Sequence, residues 1–202
     1  KALYNLYEDG DTTITVTLTL DKKDYVTKIT ATTSDSEDDA DGNVASVTYK
    51  ESKDTGTVKI GSKTYDIDDV DDVDISITDG SDKIKTWEDF YNAYKDKKTM
   101  NVSATVKNDE VTKITGKVTQ AKGELSKLGK NYIKITGKYS DNVFSYDFDE
   151  DDTDNIKVSI TNASGVKTLT KLIDWLESGD KLDLVLTLDK NGNITKISGE
   201  YK

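Results

Sequence analysis

The sequence predicts a mainly β protein with short helices, built from small units set in tandem. Three observations predict it. Ile14, Val16, Leu18 and Leu20 alternate with Thr13, Thr15, Thr17 and Thr19, which places every apolar side chain on one face of a strand. The phrase VTKIT stands at 26–30 and 111–115, and ITKIS at 194–198 repeats it with conservative changes. These copies lie roughly 80 residues apart, the scale of a small domain rather than of a short solenoid repeat. Ahead of each copy an apolar stripe recurs with helical spacing.

The alternation returns in Met100, Val102, Ala104 and Val106, and again in Leu182, Leu184, Leu186 and Leu188. Each such strand is followed by a polar turn, DKKDY, KND or DKNGN, and then by the VTKIT-like strand, so each copy closes with a β-hairpin. Before the hairpin comes a helix. Leu169, Leu172, Ile173 and Leu176 form one apolar stripe, and Trp87, Phe90, Tyr91 and Tyr94 form its counterpart. Thr86 and Thr168 are placed to cap these helices at their N-termini, and Gly179 to end the last one. ALYNLYEDGD at the start of the chain gives a third helix with Leu3, Leu6 and Tyr7 as its stripe. The tyrosines of the stripe read as core packing rather than as a sugar platform.

Upstream of the helices, 55–78 and 131–161 each give two or three short strands rich in β-branched and aromatic residues. NVASVTYKE and GELSKLG supply the strand that opens each unit. Three or four strands, a helix and a closing hairpin fold most simply into a small β-barrel-like unit or a strongly curled sheet, with the helix at one open end. This is an OB-like order. Residues 1–34 are the helix and hairpin of a first repeat, 43–120 a second unit and 121–202 a third, with acidic SDSEDDADGN joining the first two. The first segment buries too little apolar surface to fold alone. It is expected to dock on the second unit or on a neighbouring chain.

Composition narrows the function. The chain has 202 residues and no Cys, His or Pro, and no Arg occurs in it. Thiolate and imidazole chemistry and ordinary zinc, copper or haem sites are thereby excluded. A net charge of −11 argues against nucleic acid. No apolar run approaches the ~20 residues that span a bilayer, so no membrane insertion is expected. No nucleophile motif or phosphate-cradling glycine loop is present, and carboxylate pairs alone do not define a glycosidase cleft. The chain reads as no enzyme.

Asp66, Asp68, Asp69, Asp71, Asp72 and Asp74 in the second unit correspond to Asp147, Asp149, Glu150, Asp151, Asp152 and Asp154 in the third. Calcium takes six to eight oxygens, and carboxylate-dense loops supply them. Asp66, Asp68, Asp69, Asp71, Asp147, Asp149, Asp151 and Asp152 are therefore candidate Ca2+ ligands; the alternative is a solvated charge run. DKNGN at 189–193 begins like a calcium loop but lacks its later glycine and distal glutamate, and reads as a hairpin turn. NVS, NAS and NIT match the acceptor pattern for asparagine glycosylation.

LIDWLESGDKLDLVLTLDKNGNITKI at 172–197 resembles the repeats that accompany S-layer homology domains in surface proteins of Gram-positive bacteria, with their Gly-Asp segment, alternating strand and dG.vtkI ending. The second unit departs from the pattern, having YKDKKT in place of Gly-Asp. The resemblance implies an extracellular, cell-surface or cell-wall structural module without activity, secreted and self-assembling into a lattice or filament, with a cell-wall polymer as a further partner. It implies no activity and no catalytic residue; the one cofactor expected, calcium, comes from the acidic loops. Two other readings are a subunit of an extracellular filament and an adhesin module that binds carbohydrate or host protein.

Overall fold

The computed structural model describes the backbone of residues 12–35, 37–107, 110–148, 150–163, 165–176 and 181–201, and the side chains of these residues except 12–14, 31–38 and 150–152. The predicted opening helix and Gly179 lie outside the described residues. In chain order, β1 (Thr12–Leu20) and β2 (Val26–Asp35) form a hairpin. Next come β3 (Glu37–Lys50), β4 (Thr55–Ile60) and β5 (Lys63–Ile67), a 3-10 turn at Val70–Asp72, then β6 (Asp74–Asp79), β7 (Asp82–Ile84) and helix α1 (Trp87–Lys95). Strands β8 (Thr99–Lys107) and β9 (Glu110–Leu128) follow. The succession returns, without a counterpart of β7 among the described residues, as β10 (Tyr132–Thr136), β11 (Val143–Asp147), a 3-10 turn at Glu150–Asn155, β12 (Lys157–Thr161), helix α2 (Leu169–Trp175), β13 (Leu182–Leu188) and β14 (Ile194–Tyr201).

The mainly β class follows from the alternation, and the three hairpins share one register. Leu18 faces Ile29 in β1–β2, Ala104 faces Ile114 in β8–β9, and Leu186 faces Ile197 in β13–β14. Each has a bulge at the same place, between Thr19 and Leu20, Thr105 and Val106, and Thr187 and Leu188. A one-residue slip would turn all the apolar side chains outward, so the pattern pins the pairing.

Two long strands link the repeats. β9 pairs with β8 along its first half, then with β13 at Gln120–Glu124 and with β10 at Glu124–Leu128. The expected boundary at 120/121 therefore falls in mid-strand. β3 likewise pairs with β8 and then with β4. It runs through most of the acidic stretch expected to be a linker, because its first half finds a full ladder on β8.

In sheet order the strands run β12-β14-β13-β9-β8-β3-β4-β5, with β6–β7 and β10–β11 branching from β9. The sheets are not closed into barrels, which corrects the closed-barrel expectation. Closure of the second unit would require β5, at one edge of its sheet, to pair with β6 or β7 at the other, and among the described residues it pairs only with β4. Asp68, Asp69, Asp71 and Asp72, between β5 and β6, are exposed, and carboxylates resist the desolvation that a closed seam imposes.

Both helices are capped as predicted: Thr86 Oγ1 accepts from Asp89 N at 3.1 Å and Thr168 Oγ1 from Lys171 N at 3.3 Å. The buried face of α1 is Trp87, Phe90 and Ala93, with Tyr91 and Tyr94 half-buried at its margin. In α2 Leu169 and Leu172 are buried while Ile173 is exposed. This helix passes into extended backbone at Leu176, before Gly179. The core is continuous across the second and third units, from Val58, Ile77, Phe90 and Ile114 to Ile133, Leu172, Leu186 and Ile197.

Candidate functional site

The acidic run of the second unit is exposed at the surface. Asp66 lies on β5 and Asp147 at the end of β11. Asp68 and Asp69 follow β5, and Asp71 is in the 3-10 turn. Asp69 is already engaged, its Oδ1 accepting from Asp71 N at 3.0 Å to cap that turn. Asp66, Asp68, Asp69 and Asp72 line a shallow hollow with Glu110 and Thr112. Among the described residues no group of three or more acidic side chains is placed to hold a metal ion. Asp149 lies outside the described residues, and Asp151 and Asp152 are described by backbone only, in the 3-10 turn at Glu150–Asn155. The DKNGN segment is a hairpin turn: Asp189 Oδ1 accepts from Asn191 N and Asn193 N at 2.8 and 2.9 Å.

The first hairpin is the second candidate. Leu184, Leu186, Leu188, Ile194 and Ile197 of the third unit are buried, as are Val102, Ala104, Val106, Val111 and Ile114 of the second. Their counterparts Val16, Leu18, Leu20, Val26 and Ile29 are exposed; Leu18 is 54% exposed where Leu186 is 0%. In the two complete units a parallel strand pairs with the hairpin, β6 on β9 and β12 on β14. Strands β1 and β2 pair only with each other among the described residues. Among the described residues the hairpin forms no ladder with the second unit, and its apolar face is exposed. Among the described residues it leaves a contiguous apolar ladder and an unpaired strand edge facing solvent, a combination that marks an interaction surface.

The third feature is the junction of the second and third units, which the sequence reading missed. Asp96, just after α1, is buried; its Oδ1 accepts from Tyr139 N at 2.7 Å and Ser140 N at 3.1 Å, and its Oδ2 from Ser140 Oγ at 2.5 Å. Close by, Lys98 Nζ contacts Asp79 Oδ2, while Tyr146 Oη donates to Asp79 Oδ1 at 2.8 Å. Burial, with the Asp79 carboxylate alongside, pushes the Tyr146 phenol far above its ordinary range. A cleft of about 300 Å3 opens beside this network, lined by Asp82, Ile84, Asn92, Val143 and Phe144. Three charged side chains packed out of water at one seam are a signal that only the fold exposes, since in sequence they sit among many equivalent acids and lysines. Among the described residues no helix is long and apolar enough to cross a membrane. No protein-family model, curated protein or solved structure matches the chain.

Proposed function

We propose that this chain is a non-catalytic structural module of an extracellular bacterial surface protein, S-layer-like or wall-associated, that acts by self-association of repeated β-rich units. The observation that carries this reading is the first hairpin. It repeats the register of two buried hairpins and keeps its apolar face open. The same exposed ladder of a neighbouring copy is the natural cover. Packed face to face, the two would bury Val16, Leu18 and Ile29 of each copy against the other. Burying each such side chain contributes about 1.5–3 kcal/mol, enough in combination to offset the ordering cost of docking.

The OB-like reading of each unit belongs to this proposal. It is supported by the pairing of β3 with β4 and β8 and of β6 in parallel with β9, repeated in the third unit by β9 with β10 and β13 and by β12 in parallel with β14. Calcium is assigned a bridging role at the exposed acidic runs. A divalent cation would relieve repulsion between copies that each carry a formal charge of −11. Threonine-rich outer faces keep exposed strands soluble, and the resemblance to S-layer repeats implies a cysteine-free protein working outside the cell.

Sedimentation with calcium and with a chelator, followed by electron microscopy, tests the reading. Ordered sheets or filaments that Leu18→Asp abolishes are expected. A monomer indifferent to calcium, and showing affinity for a glycan, would favour the adhesin reading instead.

A further inference from the structure

Lys98 lies between α1 and β8, and its side chain is 0% exposed; Asp79, at the end of β6, is 5% exposed. Nζ of Lys98 meets Oδ2 of Asp79, and among the described residues it has no other hydrogen-bond acceptor. Its remaining surroundings are aromatic, with the Phe144 ring centroid at 3.1 Å and that of Tyr146 at 5.8 Å. An ammonium group carries three donors. Enclosing it with one acceptor leaves two unmet, and a buried charge in that state is costly unless it is neutralised. Desolvation accordingly pushes the Lys98 amine below its ordinary pKa, opposed by the Asp79 carboxylate and by the more distant Asp96 and Asp82. A nitrogen bearing a single hydrogen suits this enclosure better than one bearing three.

We propose that Lys98 and Asp79 condense into an intramolecular amide, a covalent cross-link from the end of β6 to the start of β8 that encloses β7 and α1. The nitrogen lone pair adds to Cγ of Asp79 and a C–N bond forms. Negative charge gathers on Oδ1, where the Tyr146 hydroxyl already donates at 2.8 Å, the distance at which a fixed donor stabilises such an oxyanion. The Cγ–Oδ2 bond then breaks, and Oδ2 leaves as water with the two protons that the ammonium gives up. Charges and atoms balance without oxidant or cofactor. Fixed juxtaposition supplies the high effective concentration that a free amine and carboxylate lack, and exclusion of water resists reversal. The remaining N–H is left against the Phe144 ring, a weak donor–π contact that needs no further acceptor.

Intact-mass spectrometry of the purified full chain, with a tryptic peptide map, tests this. The expected mass is that of the sequence less one water, with a branched peptide joining the segment of Asp79 to that of Lys98 and no cleavage after Lys98. Aspartate before Gly80 can also lose water to its own backbone, so Lys98→Met separates the two: the deficit disappears if it is the cross-link and persists if it is a succinimide. Tyr146→Phe is expected to slow formation in chains whose circular dichroism is unchanged. A wild-type chain of full sequence mass, cleaved normally after Lys98, overturns the proposal and leaves an ion pair. A deficit retained in Lys98→Met overturns it equally.

Discussion

Asp189 shows how much one carboxylate does in this chain. Its Oδ1 gathers the N–H groups of Asn191 and Asn193, while Gly192 takes a φ of 88° that a larger residue would resist. Burial tends to raise its pKa, but these donors outweigh it and hold the carboxyl below the ordinary aspartate range. A depressed folded pKa contributes stability above the unfolded value, about 3.9, that is lost as pH falls through the folded value. Asp189→Ala is therefore expected to cost about 1 kcal/mol at neutral pH, with a smaller difference from wild type in the acid range, as urea titrations at both pH values would show. This role was legible, since DKNGN announces a turn. The role of Asp96 was not. An acid at a helix C-terminus opposes the helix dipole, and the site makes sense only because the loop after β10 brings Tyr139 and Ser140 onto it. A Cβ at Gly137 would stand 2.4 Å from that carboxylate. Asp96→Ala is expected to lose about 2–3 kcal/mol, because three charge-assisted bonds from Tyr139 and Ser140 are removed.

Among the elements, the hairpins carry the main lesson. One pattern of threonine and aliphatic residues produced three strand pairs with the same register and bulge, so pairing needed nothing beyond the local sequence. Burial needed a neighbour. Leu186→Ala is expected to destabilise by about 2–5 kcal/mol as it opens a cavity, whereas Leu18→Ala changes the monomer by no more than about 0.5 kcal/mol. Paired chemical denaturation of the two variants checks this. The helices were likewise legible in position and N-cap, but their buried faces were rotated from expectation. Ala93 completes the inward face of α1 with Trp87 and Phe90, and Tyr91 and Tyr94 pack half-buried at the margin of the core. Tyr94 instead donates from its hydroxyl to Ala45 O at 3.3 Å, and Tyr91 packs edge-on against Tyr49 with centroids 6.2 Å apart.

Across the whole molecule, β9 makes two units into one cooperative body. A strand that ends one unit and begins the next cannot leave either ladder without disturbing the other. Gly123 marks the crossover: a Cβ there would stand 2.4 Å from Thr136 O, so only glycine lets β9 pass so close to β10. Calorimetry is expected to show a single transition for the second and third units, and Gly123→Val to lower it as a whole rather than split it. Hydrogen exchange should find the β1–β2 amides protected far less than those of β9, because the free hairpin buries little.

What the sequence determined by itself was local and periodic: the β class, the three hairpins and their register, the helix starts and the turn at Asp189. These depend on which face a side chain takes and on which short-range hydrogen bonds a residue can make. Only the tertiary structure decided that the units share a strand, that their sheets stay open, that among the described residues one apolar ladder of three is exposed, and that Asp79, Lys98 and Tyr146 meet out of water. Those outcomes depend on which distant surfaces come together and expel solvent, and periodicity along a chain carries no record of that choice.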